Sequence, residues 1–186
     1  MSVRPEASGR EHLENKLLLR CVLHICMVRF FIFDYMQETD THIITRKPIG
    51  TFLFVDDELQ EHNLLKIAVL ALGLDNKIVN CLTAQEAIDY MKETKDEIFA
   101  IFADLNMPKV DGLEFKRIVE ITPDLKKRSI PFFFHSNTGS PAEIRTAYTL
   151  NIQGYLKKAD SLQGTIASLK KVIELWTEVV HPNELE

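Results

Sequence analysis

At 186 residues, 46% of them hydrophobic, the chain is long enough for one domain with a real core and an extension beside it. A net charge of −5 and a pI of about 5.7 exclude binding to a nucleic-acid backbone as the main activity. Three cysteines, Cys21, Cys26 and Cys81, are too few for a disulfide framework, and the Cys21, His24, Cys26 cluster lacks the usual zinc spacing, so a reducing cytoplasm is the expected compartment.

Residues 1–48 read as a separate piece: polar from Met1 to Asn15, apolar from Leu17 to Phe33, and polar again from Gln37 to Pro48. Arg20, His24 and Arg29 interrupt the apolar stretch. One arginine near a helix centre costs about 2.5–3.5 kcal/mol on the insertion scale. Neither a transmembrane helix nor a signal peptide is therefore expected. The piece carries no catalytic pattern. It is a poorly specified extension or a docking helix or, if Met27 or Met36 is the natural start, a product of the start assignment.

From Thr51 short apolar runs alternate with helix-period segments. Phe52 to Val55 suits a strand buried on both faces. After Asp56, Asp57 and Glu58 a helix is expected with Leu64, Ile67, Ala68 and Ala71 on its inner face, stopping at Gly73. Ile78 to Cys81 is the second strand, and Thr83 to Glu86 a capping box for a helix bearing Ala87, Ile88 and Met91. Strand Ile98 to Ala103, a helix from Gly112 to about Glu120 capped by Asp111, and strand Ile130 to His135 follow. Ser140, Pro141 and Glu143 open the next helix. Gly154 to Lys157 is a short strand, and the last helix carries Ile166, Leu169, Ile173, Trp176 and Val180 on one stripe.

Five strands alternating with five helices specify a doubly wound α/β fold, a parallel sheet with helices on both faces, over residues 49–186. The most apolar runs, at Phe52, Ile98 and Phe132, belong in the middle, and those at Ile78 and Tyr155 at the edges. That is the flavodoxin-like order 2-1-3-4-5, whose crevice lies at the carboxyl ends of the first and third strands.

Asp56, Asp57 and Asp104 all fall at that crevice. Three converging carboxylates repel one another unless a cation sits among them, and a hard divalent ion such as Mg²⁺ takes oxygen ligands of this kind. An ionised carboxylate at Asp104 attacks a phosphoryl group without a general base, provided its charge is neutralised. Ser136 after the fourth strand offers a hydroxyl, and Lys158 after the fifth an ammonium. Taken singly, each has a plain account as turn residue, helix cap or solvated charge; the weight lies in five polar groups on one edge of the sheet.

These residues resemble the receiver domains of two-component response regulators, over about Thr51 to Val180. Val55-Asp56-Asp57 is similar to the family's acidic pair, and Asp104-Leu105-Asn106-Met107-Pro108 with Asp111-Gly112 to its phosphoacceptor motif. Ser136 matches the hydroxyl position, Tyr155 the aromatic switch, and Lys158 the lysine three residues after it. The resemblance implies a phosphoryl group on Asp104 and Mg²⁺ held by Asp56, Asp57, Asp104 and the backbone carbonyl of Asn106. Departures are Ala159 where the family has a proline, with a trans bond expected and Lys157 as the reserve lysine, and Asn137 in place of a small residue. His135 reads as a strand-end surface residue.

The expected function is that of a single-domain, chemotaxis-regulator-like response regulator. It accepts a phosphoryl group from a histidine kinase or phosphotransfer protein and switches a protein-binding face formed by the fourth helix, fifth strand and fifth helix. It is not expected to turn over a separate substrate, to bind DNA or a membrane, or, with few residues after the last helix, to carry an output module. The alternative is a haloacid-dehalogenase-type phosphatase, which also forms an aspartyl phosphate but pairs its nucleophile with a second aspartate two residues on, after the first strand. A flavin module on the same fold would need a phosphate-cradling loop where this chain has an acidic pair.

Overall fold

The computed structural model describes residues 47–184. The extension expected over residues 1–48, with its Leu17 to Phe33 stretch, lies outside the described residues but for its last two.

Five strands, β1 (Thr51–Val55), β2 (Ile78–Cys81), β3 (Ile98–Ala103), β4 (Phe132–Ser136) and β5 (Gly154–Lys157), form one parallel sheet in the order β2-β1-β3-β4-β5. The helices between and after them are α1 (Leu59–Ala71), α2 (Ala84–Glu93), α3 (Gly112–Ile121), α4 (Pro141–Thr149) and α5 (Leu162–Glu178). A single helical turn, Pro123–Lys126, prolongs α3, and a 3₁₀ turn, Pro182–Glu184, follows α5. Among the described residues no helix is long and apolar enough to cross a membrane.

The central strands β1, β3 and β4 are buried along their whole length, whereas β2 and β5 at the edges are half-covered. This is the expected order, and its cause is simple: strands enclosed on both faces need apolar residues at every position. Alternation then builds two cores. Leu53, Val55, Ile101, Ala103, Phe132 and Phe134 face α2, α3 and α4. Phe52, Phe54, Phe102 and Phe133 face α1 and α5, with Phe102 and Phe133 stacked at 5.3 Å. Below them His181 donates its Nε2–H to the Phe99 carbonyl, 2.9 Å away, and Asn183 donates to the carbonyls of Ile49 and Ile98.

Three expectations shift. The inner face of α1 is His62, Leu65, Ala68 and Val69; Leu64 is only partly covered, Ala71 is exposed and Ile67 is 49% exposed. The helix is apolar on most sides, so spacing alone admits two stripes one residue apart. In α5 the buried stripe ends at Thr177, because the helix stops at Glu178 and leaves Val180 outside it. Strand β4 starts at Phe132, two residues late, since Pro131 has no N–H for the ladder and serves only through its carbonyl, which accepts from Ile101.

Helix α3 comes very close to the end of β3. A Cβ at Gly112 would lie 2.3 Å from the Asp104 carbonyl and 2.7 Å from the Phe134 ring, neither of which can withdraw freely. Gly112→Ala should therefore destabilise the fold by about 2 kcal/mol, the ordinary cost of overpacking. Urea denaturation of the variant against the wild type measures it.

Candidate functional site

The register lines up the chemistry. Val55 pairs with Ala103 and Ala103 with Phe134, so the next residues, Asp56, Asp104 and His135, stand at one level of the sheet's carboxyl edge. Asp56 is 3% exposed; its amide bonds the Cys81 carbonyl, and its Oδ1 accepts from the Glu58 amide at 2.9 Å. Asp104 is 8% exposed, with its amide on the Val55 carbonyl and its Oδ2 accepting from the Asn106 amide at 2.9 Å. Asp111 turns the chain into α3 by accepting from the Glu114 amide at 2.8 Å. Asp57 is exposed and is not the cap of α1; Glu58 holds the N-cap position and makes no side-chain cap bond.

Lys158 reaches this row from beyond β5. Its amide bonds the Ser136 carbonyl, and its Nζ lies 2.7 Å from Asp56 Oδ2 and 3.5 Å from Asp104 Oδ1. Lys157 is exposed, so the side chain in the crevice is Lys158, and the Lys158–Ala159 bond is trans like the other described peptide bonds. Burial pulls the ammonium's pKa down, but the hydrogen bond and charge of Asp56, with Asp104 and Glu61, outweigh it and hold it above its ordinary value. Burial holds the Asp56 carboxyl above the usual carboxylate range against the pull of Lys158, and burial likewise raises Glu61.

Ser136 is fully buried, and the Tyr155 ring packs on Phe134 with centroids 6.0 Å apart. The Tyr155 hydroxyl donates to the Thr138 carbonyl at 2.6 Å, and burial raises its pKa. The Asn106 side-chain amide donates to the Thr138 hydroxyl, while Asn137 is exposed. Thus the loop after β4 is tied to the loop after β3.

His135 corrects the sequence expectation. It is 4% exposed, near the end of the central strand β4 and level with Asp104. Its pKa is pushed down to about 4, by burial first and then by the charge of Lys158, with Asp104 opposing. Thr138 and His62 were not singled out from sequence either. Register relative to Asp104 would have found His135; nothing in the sequence pointed to Thr138.

For a divalent ion the donors are hard oxygens, two carboxylates at the crevice with Asp57 beside them and the Asn106 carbonyl. Among the described residues no three His, Cys, Asp or Glu side chains yet stand close enough to hold one. The Lys158 ammonium takes the place between Asp56 and Asp104, and Asp57 stands out in solvent. Burial is the first cause of the raised Asp56 pKa and the charge of Asp104 adds to it; a hard divalent ion takes oxygen donors of this kind once Asp57 joins them. A cavity of about 590 Å³ lies at the opposite end of the sheet among Met91, Glu97, Thr122 and Arg128, away from these groups.

No protein-family model matches the chain. The curated relatives it matches include the response regulator Rcp1 of Synechocystis, 23% identical over 138 residues that span 72% of this chain and 92% of that protein. A probable chemotaxis protein CheY of Rhizobium etli is 28% identical over 120 residues, 64% of this chain and 89% of that protein. This chain is a relative of the response regulators. Its fold is likewise that of solved receiver domains. The phosphorylated cyanobacterial phytochrome response regulator RcpA superposes with a TM-score of 0.64 at 23% identity, over 72% of this chain and 99% of that one. The Mn²⁺-bound form of Rcp1 does so with 0.61 at 22%, over 70% and 96%. The phosphatase alternative gains no support from these likenesses.

Removing one partner of a buried ion pair leaves its counter-charge uncompensated, so Lys158→Ala should destabilise the fold by about 3 kcal/mol at neutral pH. The folded state keeps the Asp56 proton to higher pH than the unfolded chain does, because its pKa is raised, and ionising Asp56 works against folding. The deficit of the variant should therefore shrink as pH falls into the range where Asp56 takes up its proton. Thermal melts of both proteins between neutral and acid pH check the sign.

Proposed function

We propose that residues 49–186 form a response-regulator receiver that accepts a phosphoryl group on Asp104 from a phosphohistidine of a histidine kinase or phosphotransfer protein. The observation that carries this is the buried row of Asp56, Asp104 and Lys158, two carboxylates bridged by one ammonium at the switch-point crevice. An Asp104 carboxylate oxygen attacks phosphorus in line; the bond from phosphorus to the donor imidazole breaks, and that nitrogen keeps the electron pair and takes a proton. Lys158 leaves Asp56 to meet the phosphoryl oxygens, and Ser136 donates its hydroxyl to one of them. Mg²⁺, held by Asp56, Asp57, Asp104 and the Asn106 carbonyl, would supply charge neutralisation for the same oxygens.

The signal is a change of surface. As Ser136 is drawn toward the phosphoryl group, Tyr155 gives up the Thr138 carbonyl and turns inward, repacking the face of α4, β5 and α5. Tyr148 on α4 is 53% exposed on that part of the fold, in keeping with a protein target rather than DNA. The chain works in the cytoplasm as a signalling protein whose only reactions are gain and loss of its own phosphoryl group, with residues 1–48 as an appended extension.

Incubation with acetyl phosphate and Mg²⁺ should add one hydroxylamine-sensitive phosphoryl group to the wild type, read by intact mass. Asp104→Asn should add none while keeping its fold, and Lys157→Ala should behave as the wild type. Wild-type protein that binds Mg²⁺ yet gains no adduct would sink the assignment.

A further inference from the structure

His62 stands where an apolar residue is expected. It is 2% exposed on the inner face of α1, beside Leu65, Ala68 and Val69. Its Nε2 is 2.7 Å from the Asp56 carbonyl oxygen, and a carbonyl only accepts, so Nε2 is the donor. The other ring nitrogen, Nδ1, is buried and has no partner among the described residues. A leucine would fill the same place without an unpaired buried nitrogen. The bond to Asp56 is thus what the imidazole adds.

That carbonyl joins the two acidic residues of the β1–α1 turn. With its amide on Cys81, its Oδ1 on the Glu58 amide and its carbonyl on His62, Asp56 is held at three points that do not involve Lys158. Helix α1 begins without a side-chain cap, so the turn lacks the usual tie and receives one from inside the helix instead. Asp57 is exposed, and the direction of its side chain follows the backbone at Asp56.

We propose that His62 is a positioning residue for divalent-cation binding. By fixing the Asp56 carbonyl it sets the backbone from which the Asp56 and Asp57 carboxylates converge. When Lys158 departs for the phosphoryl group, Asp56 loses one of its ties and the His62 bond remains. This inference rests on the receiver reading above.

The test uses the full chain with Mn²⁺ as probe, the free ion being counted by electron paramagnetic resonance. His62→Leu should weaken binding about tenfold, the common effect of removing an outer-shell support. His62→Gln, whose amide nitrogen reaches nearly as far as Nε2, should keep wild-type affinity. His62→Asn is one bond too short and should fall with the leucine variant. Equal affinity in wild type and leucine variant, or a glutamine variant as weak as leucine, overturns the anchor alone. If the leucine variant does not fold, the Asn and Gln variants decide by the same comparison, equal affinity overturning the anchor. A wild type that binds no Mn²⁺ overturns the anchor and the cation site together.

Discussion

The structure depends on one ammonium held between two buried carboxylates. Lys158 lies against Asp56 at 2.7 Å and Asp104 at 3.5 Å, and all three side chains are withdrawn from water. Charges so placed persist only when each has a partner. The strand order provides this: β1 and β3 are neighbours, so their acidic ends adjoin, while Lys158 follows an edge strand two places away and spans the end of β4 to arrive. A four-carbon stem makes that reach possible. Burial, with the charge of Asp104 adding to it, holds Asp56 above the usual carboxylate range in spite of Lys158.

The groups sit on a scaffold that gives little. Phe52, Phe54, Phe102 and Phe133 form a continuous aromatic layer under the carboxylates, with centroid separations between 5.3 and 6.4 Å. Close-packed rings transmit displacement instead of absorbing it. The mobile parts of the chemistry therefore belong to the loops and to the long side chain of Lys158.

Much of this was legible from residue order. Strands β2, β3 and β5 begin and end where the apolar runs do, because polar residues bound each run closely. Asp56, Asp57, Asp104, Ser136, Tyr155 and Lys158 fall at one edge because parallel topology leaves them nowhere else. What was not legible depended on offsets of a single residue. Whether α1 turns Leu64 or Leu65 inward is set by the length of the acidic turn, not by hydrophobic spacing. Lys157 ends β5 and is exposed, whereas Lys158, one residue past the strand, is fixed by its amide on the Ser136 carbonyl and turns its ammonium into the crevice. His135 looked like a surface group because strand ends are often exposed, yet its register beside Asp104 placed it under cover.

Thr138 is held by two different parts of itself. Its hydroxyl receives the amide of Asn106, two residues from Asp104, and its main-chain carbonyl receives the phenol of Tyr155. One residue thus joins the loop beside Asp104 to the aromatic ring on β5. Because one tie runs through the side chain and the other through the backbone, mutation can retune the first while every residue type at this position preserves the second. The two loops can therefore be uncoupled at this position without releasing the Tyr155 phenol from its acceptor.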